Sequence, residues 1–195
     1  MNIPTMNRRA AVDKLLAERD GALVVTGLGS PSYDVHIAGD TDANYYLWGA
    51  MGGAALVGLG IALAQPDKRV MVITGDGEQL MAFGGLATIA VAKPQNLDII
   101  VLDNQHYGET GMQSSHTGQG IDLSKIAEAC GFAKTDQLME LDEVNELCEA
   151  LKEPAGGPRL FVLKVKAENL PRSLPPRDAT YTKNRFRAHL GLPTC

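Results

Sequence analysis

Cysteine is scarce in this 195-residue chain: Cys130, Cys148 and Cys195 stand far apart, with no Cys-x-x-Cys pair among them. That spacing argues against a cysteine-built zinc or iron–sulfur site and against a disulfide framework, and it fits a reducing compartment. Long apolar runs are lacking too. The most apolar stretch, residues 54–64, is short and glycine-rich, well under the roughly 20 residues of a membrane-spanning helix. The first residues, MNIPTMNRRAAVDKLLAE, are charged and amphipathic and hold no apolar signal core. A cytoplasmic protein with no membrane contact is therefore expected. Positive charge is in deficit, with a formal net charge of −5, so no basic face for nucleic acid is implied. The local exception is Arg172, Arg177, Lys183, Arg185 and Arg187, whose spacing reads as a solvated tail.

What is present suits one α/β domain with an adequate core: 45% hydrophobic and 21% charged residues. Ala11, Val12, Leu15 and Leu16 predict a helix over residues 7–19. ALVVT (22–26) reads as a short buried strand closed by the glycines of GLGSPS. A polar turn follows, then the extended NYYLWG. Residues 50–64 read as a small-residue helix stopped before Pro66, and RVMVIT (69–74) as the strongest strand. Further elements are a helix over 82–92, a strand over 97–102, helices over 123–131 and 142–151, and a strand over 159–165. Prolines 171, 175 and 176 open an extended arm, with a short helix over 182–190. Apolar strands alternating with helices predict a parallel sheet covered on both faces. The expected division is an α/β domain over 1–168 and a C-terminal arm over 169–195.

In such sheets ligands sit beyond the carboxyl ends of the strands. Glycine-rich segments follow Thr26, Thr74 and Leu102, so they can converge on one site. Gly75-Asp76-Gly77 places a carboxylate at the sheet edge beside outward-pointing N–H groups. A turn with a capping Asp would satisfy the same three residues. The interval to Asn104 adds to this: 26 residues lie between Gly77 and Asn104, enough for one helix and one strand. A right-handed crossover of that kind puts Asp76 and Asn104 on neighbouring strand ends. Oxygen ligands from both suit magnesium bridged to phosphates.

GDG followed at this interval by Asp103-Asn104 and an aromatic-glycine step resembles the metal-diphosphate signature of thiamin diphosphate enzymes. The resemblance implies that Asp76, Asn104 and the His106 carbonyl hold Mg2+. It also places Gly75, Gly77 and Tyr107 against thiamin diphosphate. Asp103 replaces the first Asn often found there. Tyr46-Leu47-Trp48-Gly49-Ala50-Met51-Gly52 resembles the segment that grips the aminopyrimidine ring in the 2-oxo acid decarboxylase branch. By that likeness the Gly49 carbonyl accepts from the exocyclic amine, and Met51 props the cofactor in its bent form. TGLGS resembles the first strand-end loop, with Ser30 on the diphosphate.

Together these segments, over most of residues 22–118, resemble the phosphonopyruvate and sulfopyruvate decarboxylases. The sequence departs at Gly108-Glu109 and at Gly111-Met112-Gln113, near the expected substrate mouth. The family's activating glutamate belongs to a separate pyrimidine-binding domain, and no segment here resembles it. The resemblance therefore implies the β subunit of a split enzyme: a small 2-oxo acid substrate, a pyrimidine-binding α subunit, and at least an α2β2 assembly. Glu109 and His116, in the polar loop past the metal segment, are candidates for proton transfer; both also read as solvated loop residues. An acetolactate synthase-like carboligase subunit would share these motifs. A non-catalytic nucleotide-binding module is the alternative of another class, although Gly27-Leu28-Gly29 and Gly58-Leu59-Gly60 lack the full dinucleotide fingerprint.

Overall fold

The uninterrupted apolar runs of the sequence form the middle of one parallel sheet. The computed structural model describes residues 4–194. The chain opens with α1 (Arg8–Ala17), β1 (Leu23–Thr26), α2 (Ser30–Ala38), β2 (Asn44–Tyr46), α3 (Ala54–Ala64) and β3 (Val70–Gly75). It continues with α4 (Asp76–Met81), α5 (Gly85–Ala92), β4 (Leu97–Asp103) and a small ribbon of β5 (His106–Tyr107) and β6 (Gln113–Ser114). The last elements are α6 (Leu123–Cys130), β7 (Lys134–Leu138), α7 (Glu143–Lys152), β8 (Arg159–Lys164) and α8 (Ala179–His189). The main sheet runs β2-β1-β3-β4-β8-β7, and all its ladders are parallel.

Two apolar layers flank that sheet. Val72, Ile99, Val101 and Val162 face α3, α5 and α6, while Met71, Ile73, Ile100 and Phe161 face α1, α2 and α7. Ile99, Ile100 and Val101 are wholly excluded from solvent, each contributing about 1.5–3 kcal/mol. At the amino end of the sheet Arg159 grips Asp98 through two hydrogen bonds of 2.6 and 3.1 Å. It also donates to the carbonyls of Ala150, Leu151 and Glu153 at the end of α7. This buried pair ties β4, β8 and α7 together away from the strand ends where ligands would sit.

The structure departs from sequence expectation in four places. The helix expected from residue 50 begins at Ala54, because Gly49 and Gly52 take left-handed φ values of 69° and 91°. Residues 30–38 form a helix where a polar turn was expected. Its start is favoured by Pro31 in the first turn, and Tyr33 and Val35 are buried. The helix expected over 82–92 begins at Gly85, after a separate short helix, α4, that ends at Met81. β7, KTDQL, is a polar edge strand with only Leu138 buried, and it has no apolar signal to read.

The basic tail is only partly solvated: Arg172, Arg177 and Lys183 are exposed, but the segment also docks on the domain. Phe186 of α8 enters the core and meets the Tyr45 ring at 5.5 Å between centroids. Arg185 forms a bidentate pair with Asp40 at 2.8 and 2.7 Å, and Pro176 accepts from the Trp48 indole at 3.0 Å. Among the described residues no helix is long and apolar enough to cross a membrane.

Candidate active site

Parallel strands deliver their carboxyl ends to one edge, and there a cavity of about 310 Å³ opens. Gly75 pairs in register with Leu102 on adjacent β3 and β4. Asp76 and Asn104, one and two residues further on, therefore stand side by side, as the crossover argument requires. Both line the cavity with His106 and Tyr107. Ser30, Met51, Gly75, Gly77 and Glu109 line it as well. Two of the sequence-predicted residues stand outside this lining. Gly49 lies exposed in the turn before Met51. His116 is exposed, with Nδ1 3.1 Å from the Tyr107 hydroxyl.

Asp76 is the electrostatic centre. It is 2% exposed, and its Oδ2 accepts from the hydroxyls of Ser115 at 2.5 Å and Thr117 at 3.1 Å. Both hydroxyls engage the same oxygen, which leaves Oδ1 as the oxygen a cation would take. Burial, reinforced by the nearby negative charge of Asp103, pushes the Asp76 carboxyl up to about 6. Thr117 also lies 2.7 Å from Asp103 Oδ1, and the Lys164 ammonium pairs with Asp103 Oδ2. Two buried carboxylates against one buried ammonium leave a net negative charge, which a divalent cation would compensate.

The turn after β4 explains its residue types. Asp103 Oδ1 accepts from the Gln105 N–H and Asn104 Oδ1 from the His106 N–H, both at 2.9 Å. These are successive Asx turns, so Asp103 serves locally as well as an Asn would. Gln105 takes a left-handed φ of 64°, and the chain then reverses into the β5–β6 ribbon, which pairs His106 with Ser114. That reversal lays the Tyr107 ring on Gly77, where an added Cβ would come within 2.6 Å of the ring. The second glycine of GDG is therefore set by a side chain. The first is different: a Cβ on Gly75 would meet no protein atom within 4 Å, although Gly75 lines the cavity. Its open face is the kind of space a diphosphate needs for close approach to backbone.

Glu78 also lines the cavity, although no sequence motif singles it out. It is 3% exposed, accepts from Thr74 Oγ1 at 3.0 Å and from the Gly52 N–H at 3.3 Å, and burial raises its carboxyl above the usual range. It thereby joins the β3 end to the Met51 loop. Nor are Ser115, Thr117 and Lys164 singled out. The only signal for Glu78 is its place within GDGE; the others lie beyond any local motif.

The donors fit a hard cation beside phosphates. Among the described residues no group of three His, Cys, Asp or Glu side chains could hold a metal. A carboxylate, an amide oxygen and a backbone carbonyl leave coordination positions for phosphate oxygens and water, the pattern magnesium prefers.

A parallel sheet with a carboxylate-amide edge and an open glycine is the architecture of a diphosphate-binding domain. Residues 33–165 match the family "Thiamine pyrophosphate enzyme, C-terminal TPP binding domain", and the chain belongs to that family. Sulfopyruvate decarboxylase subunit beta of Methanocaldococcus jannaschii is 39% identical over 150 residues, covering 75% of this chain and 78% of the relative. Phosphonopyruvate decarboxylase of Streptomyces viridochromogenes is 39% identical over 194 residues, covering 95% of this chain but 47% of the relative. The chain thus spans about half the length of that relative. Benzoylformate decarboxylase of Polynucleobacter necessarius shares the fold, with a TM-score of 0.70 at 21% identity over 85% of this chain and 34% of that one.

Proposed function

We propose that this chain is the diphosphate-binding subunit of a thiamin diphosphate-dependent decarboxylase acting on a small 2-oxo acid. The observation that carries the reading is the pairing of buried Asp76 with Asn104 on adjacent strand ends beside the open face of Gly75. The names of the relatives, sulfopyruvate and phosphonopyruvate decarboxylases, support the reaction class.

In this reading Asp76, Asn104 and the His106 carbonyl hold Mg2+, and Ser30, Gly75, Gly77 and Tyr107 surround the diphosphate. The Gly49 carbonyl takes the aminopyrimidine amine, and Met51 supports the cofactor's bend. The cofactor supplies the electron sink for loss of carbon dioxide. Glu109, on the cavity wall, moves the proton required at the reacting carbon. His116 reaches the cavity only through the Tyr107 hydroxyl. A second subunit supplies the pyrimidine-binding half in at least an α2β2 assembly. Its docking is supported by Met51 and Met81, apolar side chains of the cavity lining that are 42% and 57% exposed, and by exposed Leu56 and Phe83. The protein would work in the cytoplasm.

Calorimetric titration with thiamin diphosphate tests the reading. Binding that requires Mg2+ and disappears in Asp76→Ala supports it; binding indifferent to metal contradicts it.

A further inference from the structure

Beside the main cavity lies a second pocket of about 220 Å³, and Arg8 lines both. Arg8 is 3% exposed. Its Nε donates to Asp34 Oδ2 at 2.6 Å and its Nη1 to the Glu168 carbonyl at 2.8 Å. Asp34 already has a cation, because Arg9 Nε donates to its other oxygen at 2.9 Å. Two guanidiniums share one carboxylate, so the cluster carries one excess positive charge, with Arg8 buried on a cavity wall and the Arg9 side chain 21% exposed. Such an excess is costly to bury and favours a negative ligand.

Arg172 supplies a second cation to the same pocket. It lies 5.8 Å from the Tyr33 ring centroid, and its Nη2 is 3.0 Å from Glu109 Oε2. The Arg172 side chain is 58% exposed and stands on the arm. Ser30 and Tyr33 line the pocket too and bring hydroxyl donors. A tether from α1 to α2 would account for Arg9 on Asp34. It would not by itself account for a buried guanidinium lining both cavities.

We infer that Arg8 and Arg172 form a subsite for a tetrahedral oxyanion carried by a ligand of the cleft. The anion is either the cofactor's terminal phosphate or a phosphonate or sulfonate on the 2-oxo acid. Arg8 is the buried cation, and Arg172 is the exposed one, shared between Glu109 and the anion. Guanidinium suits the task because its planar fork matches two oxygens of such a group. The inference rests on the reading of the cleft as a thiamin diphosphate site.

The test compares wild type, Arg8→Gln and Arg172→Ala, all in the full chain and checked for folding by thermal melting. Asp34 keeps Arg9 in Arg8→Gln, and Arg172 is exposed, so Arg172→Ala decides the matter if Arg8→Gln unfolds. Calorimetry first measures thiamin diphosphate with Mg2+, then ethylphosphonate and ethanesulfonate added to the loaded protein. A loss of about tenfold or more in thiamin diphosphate affinity assigns the subsite to the cofactor's phosphate. Unchanged cofactor affinity with a similar loss for ethylphosphonate or ethanesulfonate assigns it to the substrate's anion. Unchanged binding of every probe in the folded variants overturns the inference while leaving the functional reading intact. Absence of thiamin diphosphate binding in wild type sinks the functional reading. In that case the subsite survives only if ethylphosphonate or ethanesulfonate still binds in an arginine-dependent way.

Discussion

Glu78 occupies the space that a side chain on Gly27 would need: a Cβ built there falls 1.6 Å from Glu78 Oε2. The glycine after β1 is thus fixed by a carboxylate 51 positions later, and that carboxylate also receives the Gly52 N–H. Gly27→Ala should displace Glu78 and lower stability by about 1–3 kcal/mol. Adding Glu78→Ala should cost less than the sum of the two single changes, because the clash is removed. Denaturant titration of the four proteins checks this, and strict additivity would contradict it.

Thr117 stands between Asp76 and Asp103. Thr117→Val keeps the shape and removes the hydroxyl. It should destabilise the fold by about 1–3 kcal/mol and weaken Mg2+-dependent cofactor binding, because Asp76 loses one of the two hydroxyls that orient it. Thermal melting and calorimetry read the two effects separately. A variant with unchanged metal dependence would show that Ser115 alone positions Asp76.

Met51 lines the cavity and is 42% exposed. With the diphosphate anchor untouched, Met51→Ala should change cofactor affinity by no more than about threefold. Turnover should fall by about tenfold or more, as expected when a reacting geometry loses its support. Steady-state kinetics with the partner subunit present, beside a cofactor titration, provides the comparison. Equal losses in both would make Met51 a binding residue only.

Asp40 sets an acid limit on the arm. Burial raises its carboxyl, but the Arg185 and Tyr46 hydrogen bonds outweigh that and hold it below the usual carboxylate range. The clamp therefore contributes stability above the unfolded carboxyl's pKa of about 3.9 and loses it as pH falls through the lower folded value. Trp48, the single tryptophan, is bonded to the arm at Pro176. Its emission should shift only below about pH 4. In Asp40→Asn the shift should be present at neutral pH.

Much of the candidate site was legible because it is written in local strings. Gly75-Asp76-Gly77 and Asn104 sit at strand ends and Met51 in the loop after β2, and the crossover length placed the first two side by side. Glu78, Ser115 and Lys164 were not legible, because their partners Gly52, Asp76 and Asp103 lie 26, 39 and 61 residues away. The central strands were readable from continuous apolar runs, but α2 was not. Its buried face includes Ser32 and Asp34, polar residues whose partners, Thr26 and Gly27 for one and Arg8 and Arg9 for the other, come from other elements. The edge strand β7 carries almost no buried side chain, so nothing in its pattern distinguishes it from a loop.

The central claim is that this chain holds the metal and diphosphate while another polypeptide completes the active site. The most direct measurement is carbon dioxide release from sulfopyruvate, phosphonopyruvate and pyruvate, with thiamin diphosphate and Mg2+ present. Residues 1–195 would be assayed alone and after mixing with a pyrimidine-binding subunit. The account predicts no turnover by the chain alone and metal-dependent turnover on mixing. Robust turnover by this chain without a second polypeptide would contradict it.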